Sequence, residues 1–260
     1  MTIYFYKMKP YILAETNWKT VKDLKVELAV LPWGATEAHN YHLPYSTDNI
    51  MVERVAEDAA RVAFEKGGKV MVLPAIPFGV NTGQLDIKLN INMNPGTQMA
   101  ILNDVADVLN RHGILKFMIL NGHGGNDFKQ MIRELGFRFP KLFICVCNWY
   151  QCFENSKYFE SGGDHANEME TSMMQFVAPE LVLPLSEAGK GESKKFRIKA
   201  LGEKWAWAER KWTKISKDTG IGDPSKATPE KGEKCYSEVI SKISELMLDL
   251  SKADINDMYE

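Results

Sequence analysis

Short apolar runs alternate with longer capped segments along this chain, and that alternation limits what it can fold into. The runs Val26 to Pro32, Lys69 to Leu73, Leu115 to Leu120 and Lys141 to Asn148 are apolar at most positions rather than at every second one. They are too short for buried helices and have the pattern of strands covered on both faces. Between them the punctuation is helical. Thr47 or Asp48 can cap a helix from Asn49 to about Lys66 that ends at Gly67-Gly68. Pro95 opens a helix through His112, closed by Gly113. Asn126 is expected to cap a third, running to about Leu135. Glu168 to Phe176 follows, stopped by Pro179, and Pro229 starts a terminal helix to about Ser251. Strands alternating with helices predict an α/β fold of three layers, α/β/α, around a mostly parallel sheet. With no internal repeat and no linker, residues 1–260 read as a single domain. Pro77 to Asn94 has irregular periodicity and is expected to be a long functional loop. The stretch from Leu185 to Pro229 is also loop-rich.

Charge excludes some functions. Lysine and arginine number 32 against 34 acidic residues, a formal charge of −2, so there is no electrostatic footprint for nucleic acid. The lysine-rich stretch Lys190 to Lys217 is interleaved with glutamates and tryptophans and reads as solvated or subunit-facing. No run of 18 apolar residues exists to span a membrane. Met1 to Lys7 lacks the basic-then-apolar order of a signal peptide. Four cysteines without a Cys-x-x-Cys pair suit reduced thiols in a cytoplasmic protein.

Four of the five histidines lie in three Gly- or Pro-bounded segments: Trp33 to His42 with Asp48 beyond, Asn121 to Asn126, and Gly163 to Glu170. The first two follow strand ends, where ligands bind in parallel sheets. Glu37 and His39, two apart in extended chain, project to the same side. Asp48 offers two oxygens and can bridge two cations. His123 arrives from the next strand end, flanked by glycines that let backbone crowd the site. Imidazole and carboxylate without thiolate suit Zn²⁺, Mn²⁺ or Fe²⁺.

Other readings are weaker. Asn121-Gly122-His123-Gly124-Gly125 has neither the Lys-Ser/Thr of a P-loop nor dinucleotide-fingerprint spacing. His42 reads as support or packing, and His112 as the end of a helix. Glu168 reads as a helix N-terminal carboxylate. Trp33 and Trp149 read equally as core or as a planar-substrate wall, and Trp205, Trp207 and Trp212 as a subunit contact. Asn126 also suits orienting His123.

These residues also resemble a family. Gly34 to Pro44 with Thr47-Asp48 is similar to the first signature of the creatininase family, Asn121 to Asn126 to its second and His165 to Ser172 to its third. Pro95-Gly96-Thr97 and Gly222 to Gly232 also look like family positions. The resemblance implies a two-metal centre held by Glu37, His39, Asp48 and His123, with Asp48 bridging. It also implies His165 as acid/base beside the scissile amide, and Glu170 as a carboxylate completing the second ion's shell. It further implies a small-molecule amide as substrate and a homo-oligomer, usually a hexamer.

Two departures stand out. Gly124 and Gly125 occupy places that hold a tyrosine and a ligand glutamate in creatininase proper, a form similar to the formamide hydrolases and peptide-trimming members. Gln84-Leu85-Asp86 replaces an acidic–histidine pair, and Asn40 a glycine; these changes are expected to alter the pocket wall and not the metals. The expected chemistry is amidohydrolysis of a non-peptide C–N bond. Two cations about 3.5–4 Å apart would share a hydroxide, and His165 would shuttle a proton to the leaving nitrogen. Creatinine itself as substrate, a catalytically degenerate metal-binding relative and a nucleotide-cofactor protein are the alternatives.

Overall fold

Strands that are apolar at successive positions need cover on both sides, and the computed structural model, which describes residues 9–260, shows that cover. The reading of Met1 to Lys7 lies outside the described residues. Four parallel strands, β1 (Leu28–Trp33), β2 (Val70–Val72), β3 (Lys116–Asn121) and β4 (Phe143–Asn148), form a sheet in the order β2-β1-β3-β4. Leu28 stands opposite both Val70 and Lys116, and Asn121 opposite both Trp33 and Asn148.

Alternate residues sort into two cores. Leu28, Val30, Met118 and Leu120 face α1 (Thr47–Glu65), α4 (Glu168–Val177) and α5 (Pro229–Lys252). Ala29, Leu31, Trp33, Phe117 and Ile119 face α2 (Pro95–Arg111) and α3 (Lys129–Arg138). Each fully buried large aliphatic side chain contributes roughly 1.5–3 kcal/mol of transfer free energy, so β1 and β3 are the rigid centre. Ala56, Ala59, Ala60 and Ala63 are buried on one side of α1, and their small side chains let α1 pack close to its neighbours. Edge strand β4 is only half-buried along its length.

The punctuation works mostly as the sequence implies. Pro95 and Pro229 open their helices, and the Thr228 side chain accepts from Lys231 N. Gly67 and Gly113 take positive φ just past α1 and α2, where a left-handed residue satisfies terminal carbonyls. Two expectations are corrected. Neither Thr47 nor Asp48 caps α1: both lie inside it after Ser46, Thr47 Oγ1 donates to Pro44 O, and the Asp48 carboxylate turns to the histidines instead. Asn126 caps nothing either, because α3 starts at Lys129 and the Asn126 side chain is taken up by Val80, Gln98 and Asn121. The loop-rich stretch carries two four-residue helical turns, Lys199–Gly202 and Trp212–Ile215.

Lys116 is the one charged residue of β3. Its buried Nζ donates to Ser251 O at 3.0 Å and Ala253 O at 2.8 Å, where α5 ends. A cation there satisfies terminal carbonyls and the helix dipole. It borders a cavity of about 490 Å³ at the N-terminal ends of the strands, remote from the histidine segments. Among the described residues no helix is long and apolar enough to cross a membrane, and all four cysteines are free thiols.

Candidate metal centre

Three segments leave the C-terminal edge of the sheet or pass above it, and their acidic and imidazole side chains meet there. The chain after β1 carries Glu37 and His39, α1 presents Asp48 in its first turn, and the loop after β3 carries His123. All four are at least nine-tenths buried. The two Asp48 oxygens diverge: Oδ1 lies 3.2 Å from His39 Nε2 and Oδ2 lies 3.0 Å from His123 Nδ1. Glu37 Oε1 lies 2.9 Å from the same His123 nitrogen. Ligand atoms about 2.0–2.2 Å from one ion stand roughly 3.0–3.5 Å from each other, so these spacings already have the dimensions of a coordination shell. Potential ligand atoms of Glu37, Asp48 and His123 form one such group, those of His39, Asp48 and Glu170 a second, and those of Glu37, His39 and His165 a third, each set within 4.8 Å; Asp48 joins the first two.

The outer nitrogens of the histidines are already used. His39 Nδ1 lies 3.1 Å from Glu37 O, and His123 Nε2 lies 3.1 Å from Val80 O. Each donates there, because a carbonyl can only accept, which leaves His39 Nε2 and His123 Nδ1 facing the carboxylates. A backbone carbonyl on the far nitrogen is the usual support for a metal-ligating imidazole. His39 Nε2 is buried and lacks a hydrogen-bond partner of good geometry. Two buried carboxylates, the half-buried Glu170, two inward-facing imidazole nitrogens and no thiolate fit divalent cations.

Electrostatics carry the same message. Burial would lower His39, but adjacent Asp48 overrides it and raises the imidazole to about 10. Burial likewise opposes the rise of His123, which Glu37 and Asp48 hold well above its ordinary value. Burial would raise Glu37 and Asp48, yet the histidines hold both low. Burial lifts Glu170 to about 7. Without metal, protons on the imidazoles therefore take the place of cations, and an incoming ion must displace them. A chelator-treated sample is expected to keep its far-ultraviolet circular dichroism. Because the His39 proton is held up to about pH 10 and His123 also stays protonated well above its ordinary range, the sample's apparent Zn²⁺ affinity will rise with pH, by about tenfold per unit for each proton displaced. A competition titration across pH checks this; a flat profile would contradict it.

His165 and Glu170 flank the cluster. His165 Nε2 donates to Ala38 O at 2.8 Å, so its unprotonated Nδ1 faces Glu37 Oε1 at 3.8 Å. Burial, then the charge on His39, lowers its pKa and keeps it neutral. Its ring lies 4.1 Å from that of His39 and meets the edge of Trp212 at 5.2 Å. Trp212 is therefore not a subunit contact: it is buried within its own chain, and its Nε1 donates to Thr219 O at 2.7 Å. Trp205 and Trp207 are exposed. Glu170 accepts from Ala166 N, while Glu168 turns the other way, accepting from Glu160 N, Ser161 N and Lys231 Nζ. Glu168 is thus a helix-terminal carboxylate outside the cluster. His42 contacts Thr171 Oγ1 at 2.9 Å, and His112 is exposed at the end of α2.

Two asparagines of the second motif, Asn121 and Asn126, support His123, as expected of Asn126, and they tie it to loop residues outside any motif. Asn121 Nδ2 donates to His123 O at 2.9 Å, and Asn126 Nδ2 to Asn121 Oδ1 at 3.0 Å. Asn126 Oδ1 accepts from Val80 N at 3.1 Å and Gln98 Nε2 at 2.8 Å, holding the Pro77–Asn94 loop against His123. Gln84 Nε2 donates to Glu37 Oε2. The expectation that the Gln84 departure concerns only the wall is therefore corrected, since this loop touches a candidate ligand. Asn40 takes φ +54 in place of glycine, and its amide bonds Gly189 N and O and its own neighbour Tyr41 N. For Asn81, Asn90 and Asn92 the hint in the sequence is the density of Asn and Gln between 81 and 94.

Gly125 has its own geometric reason. A Cβ there would collide with His123 Nε2 and Val80 O, the pair whose hydrogen bond aims the imidazole. Gly125→Ala is expected to weaken Zn²⁺ binding about 10–100-fold, the usual effect of losing an outer-shell partner, with the fold retained. Chelator competition measures this; wild-type affinity in the variant would contradict it.

Comparison with known proteins follows this geometry. A family model described as "Creatininase: Creatinine amidohydrolase" matches residues 14–247. A solved structure from Bacteroides fragilis NCTC 9343, provisionally named a creatinine amidohydrolase, superposes with a TM-score of 0.91 at 44% identity, covering 97% of this chain and 99% of that one. The 3-dehydro-scyllo-inosose hydrolase of Thermotoga maritima is 29% identical over 60% of this chain, and the match takes in only 52% of that protein's length. The mycofactocin precursor peptide peptidase of Mycobacterium ulcerans is 25% identical over 81% of this chain and 80% of that one.

Proposed function

The chain belongs to the creatininase family of amidohydrolases, and we propose that it hydrolyses a non-peptide C–N bond, in a cyclic amide or formamide of a small molecule, with two divalent ions. Glu37, Asp48 and His123 would hold one ion and His39, Asp48 and Glu170 the other, with Asp48 shared; Zn²⁺, Mn²⁺ and Fe²⁺ suit the donors. Bound there, the ions supply Lewis acidity toward a carbonyl and hydroxide near neutral pH. The observation that carries this reading is the divergence of the two Asp48 oxygens toward different histidines.

The chain's own residues do the rest. His165 is fixed by Ala38 O with Nδ1 toward the cluster. From there it takes a proton from the attacking water and returns one to the departing nitrogen as the C–N bond breaks. An amide nitrogen leaves poorly without that proton. The depressed pKa of His165, due to burial and His39, leaves it free to accept at neutral pH. The edge of Trp212 limits rotation of the ring. Burial of the cluster excludes bulk water and strengthens these interactions. In the same reading the protein is a cytoplasmic homo-oligomer, up to a hexamer, formed from one domain per chain.

The intact set Glu37, His39, Asp48, His123, His165 and Glu170 argues against a degenerate binding protein, and Gly125 in place of a ligand glutamate argues against creatinine. A metal-loaded sample should release acid or amine from a panel of cyclic amides and formamides. Turnover confined to creatinine or to a peptide would replace the substrate class, and no turnover on any of them would overturn the hydrolase reading.

A further inference from the structure

Four groups close a ring around Glu37. Ala38 N donates to Asn90 Oδ1 at 2.8 Å, Asn90 Nδ2 donates to Gln84 Oε1 at 2.5 Å, and Gln84 Nε2 donates to Glu37 Oε2. The direction of the ring follows from one end. A backbone N–H can only donate, so Asn90 must present its oxygen to Ala38 and its nitrogen to Gln84. Gln84 must then offer oxygen to Asn90, which leaves its nitrogen for Glu37. The Gln84 side chain is buried on the helical turn Thr82–Gln84 of the long loop.

We infer that Gln84, held by Asn90, is a positioning residue for the metal centre: it occupies Glu37 Oε2 and so presents Oε1 alone toward His123 and the ion between them. Oε1 is the oxygen 2.9 Å from His123 Nδ1. A carboxylate tied at one oxygen binds an ion through the other, and a released carboxylate can turn and bind through both. The loop thereby sets the coordination number at the Glu37–Asp48–His123 position, while the His39–Asp48–Glu170 position has no part in the ring. This inference rests on the metal reading above.

Co²⁺, whose visible absorption weakens as coordination rises above four, reports both affinity and geometry. Metal-free wild type, Gln84→Met and Asn90→Asp are titrated with Co²⁺. Gln84→Met keeps the side-chain length and removes the donor. Asn90→Asp is nearly isosteric, still accepts from Ala38 N and turns the Gln84 amide so that its oxygen faces Glu37. Both are expected to weaken one of two Co²⁺ ions about 10–100-fold, leave the other at wild-type affinity and lower the absorption per bound ion. The double variant should cost no more than the larger single effect, because one chain of bonds is broken. Wild-type affinity and spectrum in Asn90→Asp would overturn the inference even if Gln84→Met failed to fold. Equal weakening of both ions would overturn it too, by showing general loosening. Wild type that binds no Co²⁺ would sink the metal reading and this inference together, whereas wild type binding two ions with unaffected variants sinks the inference alone.

Discussion

Asp48→Asn is expected to empty both ion positions at once. Asp48 is the one side chain common to the Glu37–Asp48–His123 and His39–Asp48–Glu170 groups. Asparagine keeps its shape but has a single neutral oxygen, so it cannot serve His39 on one side and His123 on the other. The loss should exceed the roughly 10–100-fold range of outer-shell changes, and turnover should fall to background with it. The comparison with its neighbours is sharper than the single result. His123→Ala should release the ion shared with Glu37 and retain the other, and Glu170→Ala should do the reverse. Metal analysis of the three variants after dialysis decides the matter. Retention of two ions by Asp48→Asn would remove the bridging role.

His165→Ala separates chemistry from binding. His165 Nδ1 faces Glu37 Oε1 at 3.8 Å, a distance that suits proton exchange beside the cluster better than tight ligation. Truncation is expected to lower kcat about 10²–10⁴-fold, the range for losing a positioned acid–base group, while both ions stay bound. The limb of the pH–rate profile that reports His165 should disappear with it. If metal content falls in parallel with rate, His165 is a ligand, in keeping with its place near Glu37 and His39. If neither changes, it has no part in the reaction.

Much of this architecture is legible in the sequence, for physical reasons. β1 and β3 stand out because burial on both faces leaves little room for polar residues; the exceptions in β3 are Lys116, whose ammonium meets the end of α5, and Asn121, which supports the His123 loop. Pro95, Gly113 and Pro229 mark helix ends through their own backbone restrictions. Asp48 and Asn126 mislead because a capping side chain is also a good ligand or tether, and tertiary partners claim them; the Thr47 hydroxyl turns back to Pro44 O instead. The site follows the same division. Glu37, His39 and His123 are visible from residue type after strand ends, and Asp48 from its place just beyond the first of those segments. Val80, Gln84 and Asn90 are not, since their roles exist only once residues about fifty positions apart are in contact. Trp212 illustrates the same limit: its sequence neighbours Trp205 and Trp207 are exposed, while it turns inward to His165.

The central claim is that Asp48 joins two cation positions, and anomalous diffraction from crystals grown with Mn²⁺ tests it most directly. The account predicts two peaks about 3.5–4 Å apart, with one Asp48 oxygen on each, one peak beside His123 and the other beside His39. A single peak, or none within reach of Asp48, would contradict it.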